Sequence, residues 1–118
     1  MKNTFSKMEL ISWADFEKVD IRVGTITEAK EFPRAKKPAY QLTINFGEAG
    51  IKQSSAQITT FYSLEKLVGL QVIAVVNFPP KKIAGFISEC LVLGVYDENN
   101  AVVLLQPNFP VSNGLKIG

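Results

Sequence analysis

The chain has 118 residues, 47% hydrophobic and 20% charged, with a formal net charge of +2, one cysteine and no histidine. That length suits one domain with a real core, and that hydrophobic content excludes intrinsic disorder. The missing histidine removes the commonest general base and zinc ligand, a lone Cys90 excludes an intrachain disulfide framework, and no segment approaches the roughly 20 apolar residues of a membrane span.

The stretch from Met1 to Trp13 carries Lys2, Lys7 and Glu9 and no apolar run of signal-peptide length, so the chain reads as soluble and cytoplasmic, with its first residues through Met8 frayed. Ser12 stands three residues before Asp15, the form of a helix N-cap. One or two turns are expected there, with Trp13 and Phe16 covering apolar surface. From Asp20 the pattern turns to strands. Ile21 and Val23 alternate with Arg22, then the phase slips by one to Ile26, and the glycine at the slip, Gly24, predicts a β-bulge in a strand running to about Phe32. Pro33 to Pro38 is a proline-bounded basic loop. Tyr40, Leu42, Ile44 and Phe46 alternate with Gln41, Thr43 and Asn45, which marks a half-buried strand. After a turn at 47–50, residues 51–58 are β-capable but polar, suited to a strand with one face open to solvent or ligand. Ser63 in N-cap position and Gly69 just past the end frame a short helix. Further strands are expected near 71–77, 86–95 and 101–105, the last two joined by a turn at Asp97 to Asn100.

Strands dominate, with a small helix after the third. That order fits an all-β fold with short helices, an OB-fold Greek-key β-barrel, better than a sandwich, which uses more strands. Residues 1–19 read as an N-terminal extension carrying the short helix, and 20–118 as the barrel domain. The apolar content exceeds what so small a domain easily buries, so part of it is expected in a self-association interface or under a partner.

In barrels of this type oligonucleotides bind the face of strands two and three, between the loop after strand one and the loop between strands four and five. Here the first loop holds Arg34, Lys36 and Lys37. The second opens with Asn77-Phe78-Pro79-Pro80, whose prolines fix φ at about −65° and donate no backbone hydrogen bond, and it carries Lys81 and Lys82 toward Gly85. Lys52, Gln53, Ser55 and Gln57 lie on the polar strand between them. Cations so placed neutralise phosphates, serines and amides bond sugars or base edges, and Tyr40 or Phe78 stacks on bases. The competing reading makes the lysines ordinary solvated charges and the two aromatics core residues. Phe32, Phe78 and Phe86 make the site more apolar than a phosphate cleft, which suits the side chains of an extended polypeptide, with the lysines orienting it. Phe86 facing the core or a dimer contact is the alternative. Catalysis finds no support: Asp15, Glu17 and Asp20 form no recognisable set, Ser88 lies in neither a G-x-S-x-G nor an S-x-x-K motif, and Cys90 sits in an apolar strand. No ligand spacing suits a metal, and no cofactor is expected.

Several motifs occur in an order that resembles a known family: Asp20-Ile21-Arg22-Val23-Gly24, Phe32-Pro33-x-Ala35, Tyr62 followed by Glu65 and Leu67-x-Gly69, Val75-Val76-Asn77 with Pro80-x-Lys82, and Gly85-x-x-Ser88. The family is the tRNA-binding domain appended to some aminoacyl-tRNA synthetases and also found as free-standing dimers. Ile51 to Ile58, Val75 to Pro80, Ile83-Ala84-Gly85-Phe86 and Leu104-Leu105-Gln106-Pro107 are similar to its stand-alone bacterial secretion chaperones. The resemblance implies a cytoplasmic, non-catalytic OB-fold homodimer that binds unfolded polypeptides or preproteins, has tRNA-binding capacity and does not insert into membranes. It adds Asn77 and Ser88 to a nucleic-acid site of Arg34, Lys36, Lys37, Lys52, Gln53, Ser55, Lys81 and Lys82. Phe32, Tyr40, Phe78 and Phe86 form the expected peptide site. A dedicated tRNA-binding protein without a chaperone role is the alternative. The chain departs from the family at Phe32, where a histidine usually precedes the loop proline, at Ala84, where a basic residue is common, and at Cys90-Leu91, where Gly-Met is usual. Those changes remove polar or flexible contacts and bear on tRNA affinity more than on fold.

Overall fold

Residues 8–118 are described by a computed structural model, and the fraying expected of the first residues falls largely on 1–7, outside them. The strands are β1 (Ile21–Glu31), β2 (Tyr40–Asn45), β3 (Ile51–Ala56), β4 (Gln71–Val75), β5 (Lys81–Ile83), β6 (Phe86–Ser88), β7 (Leu91–Val92), β8 (Gly94–Tyr96) and β9 (Val102–Leu104), with helices α1 (Trp13–Glu17) and α2 (Leu64–Leu67). Five of them form an antiparallel sheet in the order β3-β2-β1-β4-β7. The sheet curls until β3 meets the chain after β6: the Glu89 N–H donates to the Gln53 carbonyl at 2.8 Å, and Ser54 Oγ–H donates to the Cys90 carbonyl at 3.0 Å. The result is a nearly closed five-stranded barrel of the OB type, as its strand pattern predicts.

Strand alternation fills the interior. Tyr40, Leu42 and Ile44 point inward from β2 and join Ile26, Phe46, Leu67, Val72 and Ala74 in one buried cluster. Both expected caps are present. Asp15 N–H donates to Ser12 Oγ at 3.0 Å and the Asp15 carboxylate accepts from the Ser12 N–H at 3.2 Å; Ser63 Oγ accepts from the Lys66 N–H at 3.4 Å. Gly69 follows α2 with φ +96°, the left-handed backbone that favours glycine after a helix.

Four details differ from the sequence reading. The register slips between Ile26 and Glu28, so the bulge sits at Thr27 and not at Gly24. Gly24 answers a packing need instead: a Cβ there would lie 2.6 Å from the Phe46 ring. Val23, on the opposite face, is also buried, so both faces of β1 are covered and the apparent phase slip has no bulge behind it. Lys81–Ile83, expected as loop, pairs with β6 as a hairpin whose turn residues Ala84 and Gly85 both have positive φ, 48° and 85°; two such residues suit a two-residue hairpin turn. The run expected as one strand over 86–95 is three short ones, because residues 88–90 turn aside to bond β3 while β8 leaves the barrel to pair with β9. Finally, Trp13 and Phe16 pack on each other, ring centroids 5.3 Å apart, and no residue of α1 is buried.

Residues 114–117 run antiparallel to the start of β1. The Gly114 N–H donates to the Val23 carbonyl at 2.7 Å, the Val23 N–H to the Leu115 carbonyl at 3.0 Å, and the Ile117 N–H to the Ile21 carbonyl at 2.8 Å.

Candidate ligand-binding surface

The loop between β1 and β2 and the β5–β6 hairpin lie side by side at one end of the barrel. A Cβ built on Gly85 would stand 3.3 Å from Arg34 Nη1, so the guanidinium rests over the hairpin turn. Phe32 and Phe86 pack ring against ring, tilted by 59° with centroids 5.4 Å apart, joining the base of the loop to the hairpin. The hairpin is also fixed to β3, since the Ser55 N–H donates to Ser88 Oγ at 3.1 Å.

Two of the clefts on this surface adjoin each other. One, of about 380 Å³, is lined by Ser55, Phe78, Pro79, Lys81, Ile83, Ser88, Glu89, Cys90 and Leu91. The other, of about 460 Å³, is lined by Arg34, Ala35, Lys36, Lys37, Ala39, Ser55, Gln57, Ile83 and Ala84. The first is walled mainly by apolar side chains; the second sets three cations beside Ala35, Ala39, Ile83 and Ala84. Among the described residues, none of Arg34, Lys36, Lys37, Lys81 and Lys82 is in an ion pair, and all are exposed.

Strand geometry separates several residues that the sequence groups together. Lys81 pairs with Ser88 and Ile83 with Phe86, so these four share the face toward β3, while Lys82 pairs with Ile87 and points the other way. Lys52 is paired with Ile44, on the core-facing side of β3 with Ser54 and Ala56, whereas Gln53 and Ser55 stand on the outer face. The Asn77 amide is engaged by the chain itself: Oδ1 accepts from the Asp20 N–H at 3.0 Å, and Nδ2 donates to the Lys18 carbonyl at 2.7 Å. It anchors the start of the loop that presents Phe78. Ser88 Oγ is likewise committed to β3. Tyr40 lies in the core, 7% exposed, and its hydroxyl donates to the Tyr62 carbonyl at 2.8 Å. Phe32 is buried, Phe86 is half-buried, and Phe78 is 53% exposed. Of the four expected peptide-contacting aromatics, then, Phe78 alone is largely open.

The structure also adds residues that the sequence did not nominate. Gln41 sits on the outer face, paired with Lys30 on one side and Ser55 on the other, and Pro79, Ile83 and Leu91 wall the apolar cleft. Gln41 stands at a polar position of a clean alternation, and only the register reveals that it borders the cationic loop. Cys90 lies on the wall of the apolar cleft. Burial pushes its thiol up to about 11, with the Ser54 hydrogen bond and nearby Lys52 opposing. Such a thiol packs as an apolar group and is a poor nucleophile.

Among the described residues there is no group of three or more His, Cys, Asp or Glu side chains able to hold a metal ion, and no helix is long and apolar enough to cross a membrane.

Similarity to known proteins agrees with this architecture. The chain is 55% identical to the chaperone CsaA of Bacillus anthracis str. Ames, whose crystal structure superposes with a TM-score of 0.85 over 93% of this chain and 100% of that one. The CsaA chaperone protein of Picrophilus torridus is 52% identical, with a TM-score of 0.86 over 92% of this chain and 100% of that one. Methionine--tRNA ligase of Methanocaldococcus jannaschii is 35% identical over 111 residues, which are 94% of this chain and 17% of the ligase. The chain thus spans about one sixth of the length of the synthetases it matches. Residues 21–116 match the family described as "Putative tRNA binding domain". The barrel, its paired loops and these similarities together place the chain in the tRNA-binding domain family, among members that include the CsaA chaperones.

Proposed function

We propose that the protein is a non-catalytic, cytoplasmic chaperone that binds unfolded or export-bound polypeptides and retains a capacity for tRNA. The observation that carries this reading is the apolar cleft of Phe78, Pro79, Ile83 and Leu91 lying directly against a cleft of Arg34, Lys36 and Lys37. Apolar walls take up side chains of an extended chain, while cations orient it or neutralise phosphate. Over half identity to two chaperones, across nearly the whole of both chains, supports the polypeptide role.

A second reading, a dedicated tRNA-binding protein, is favoured by the outer face, where Gln41, Thr43, Gln53 and Ser55 offer hydrogen bonds beside the cationic loop. Salt separates the two. RNA held through several phosphates loses affinity steeply as salt rises, whereas apolar peptide contacts change little. Titration of the purified protein with tRNA and with an unfolded preprotein, each at two salt concentrations, is expected to give salt-resistant preprotein binding and salt-sensitive tRNA binding. Failure to bind the preprotein at either salt overturns the chaperone role.

The working form is a homodimer. Val95 of β8 and Val103 of β9 are paired on one face of their hairpin and exposed, Tyr96 is exposed on the other face, and Leu105 and Phe109 beyond β9 are exposed as well; apolar side chains left open in this number on so small a barrel suit contact with a second copy. Sedimentation at micromolar concentration is expected to give twice the chain mass; a single-chain mass refutes the dimer.

A further inference from the structure

Ser55 and Ile83 belong to both clefts. Ile83 shares the β3-facing side of the hairpin with Lys81, which lines the apolar cleft, and Arg34 rests over the turn just beyond it. An RNA backbone that engages Lys36 or Lys37 together with Lys81 therefore crosses the Ile83 ridge and covers the mouth of the apolar cleft. A polypeptide seated between Phe78 and Leu91 occupies that same mouth and takes Lys81 with it. The ridge has little freedom to swing aside and admit both. The hairpin is pinned to β3 through the Ser55 N–H to Ser88 Oγ bond at 3.1 Å and the Glu89 N–H to Gln53 carbonyl bond at 2.8 Å. The whole body measures only 42 × 36 × 30 Å, small beside either polymer.

We propose that tRNA and polypeptide exclude each other on this surface, so that tRNA occupancy releases a bound polypeptide and a bound polypeptide blocks tRNA. The proposal rests on the functional reading above, in that both ligands must use this end of the barrel. Exclusion at a shared site has a signature that coupling between separate sites lacks. The apparent Kd for one ligand climbs in proportion to the concentration of the other without limit, whereas coupling between separate sites saturates at a fixed factor.

The test uses a dye-labelled, uncharged peptide rich in Phe and Leu, which has no cations to attract RNA, and unlabelled bulk tRNA. Each is first titrated alone by fluorescence anisotropy and gel shift. The peptide titration is then repeated at rising tRNA concentrations. With tRNA at ten times its own Kd, the apparent peptide Kd is expected to rise about 11-fold, and to keep rising linearly beyond that. A peptide Kd that is unchanged, or that levels off as tRNA increases, overturns the exclusion while leaving both binary activities standing. Loss of either binary complex overturns the functional reading itself, and the exclusion with it.

Discussion

Asn77 joins the segment after α1 to the loop that follows β4: its side-chain Oδ1 accepts from the Asp20 N–H at 3.0 Å, and its Nδ2 donates to the Lys18 carbonyl at 2.7 Å. The residue after it is Phe78, the most exposed of the site aromatics. Asn77→Ala removes two hydrogen bonds near the surface and is expected to cost roughly 1–2 kcal/mol of stability. Asn77→Asp keeps the acceptor but sets a carboxylate oxygen against the Lys18 carbonyl, so at neutral pH it is expected to be destabilised at least as much. Urea unfolding of the three proteins checks the order, and a wild-type midpoint for Asn77→Ala removes the clamp.

The cations of the site are not equivalent. Lys81 lines the apolar cleft while Lys82 faces away beside Ile87, and Lys36 and Lys37 line the neighbouring cleft. Changing Lys36, Lys37 and Lys81 together to Ala is expected to weaken tRNA binding and to flatten the salt dependence by roughly one unit of slope for each lost phosphate contact. Lys82→Ala alone is expected to do much less. Affinity measured across a salt series checks both, and equal losses from Lys81→Ala and Lys82→Ala contradict the division of faces.

Phe78 and Phe86 separate binding from stability. Phe78 is 53% exposed on the cleft wall, so Phe78→Ala is expected to weaken peptide binding with a stability change within about 0.5 kcal/mol. Phe86 packs at a tilt against buried Phe32, 5.4 Å between centroids, and Phe86→Ala is expected to cost roughly 2–4 kcal/mol of folding free energy. Peptide anisotropy and denaturant unfolding on both variants check this. Unchanged peptide affinity in Phe78→Ala puts the binding pocket elsewhere.

Cys90 makes a pH prediction with a definite sign. Its thiol is raised from 9.0 to about 11, chiefly by burial, so between those values the folded chain holds a proton that the unfolded chain releases. Its contribution to stability is complete below about pH 9 and is lost as pH rises toward 11. At pH 9 the folded protein carries much less thiolate than an ordinary cysteine and holds the sulfur out of solvent, and alkylation by iodoacetamide is expected to be markedly slower than that of a free thiol. Alkylation at the rate of a free thiol contradicts the buried placement.

What was readable in the sequence was local. Ser12 and Ser63 were legible as caps because capping joins residues three apart, and β2 was legible because Tyr40, Leu42 and Ile44 alternate without interruption. The barrel followed from the number and order of the strands. Other features depend on contacts between distant residues. Gly24 looks like a bulge because the pattern slips beside it, yet its partner is Phe46, just past the end of β2. Lys81–Ile83 is three residues long between Pro80 and the Ala84-Gly85 turn, too short for periodicity to reveal that its two lysines face opposite ways. The cationic loop and the apolar loop could each be found in the sequence. That they share Ser55 and Ile83 is a property of the folded sheet.

The pairing of residues 114–117 with Ile21–Val23 has a consequence for solubility. Without that pairing the start of β1 would present bare N–H and C=O groups, a template on which other molecules stack strand upon strand. Trimming the chain before Gly114 is therefore expected to leave a barrel that clouds on gentle warming, visible by light scattering well before its core melts.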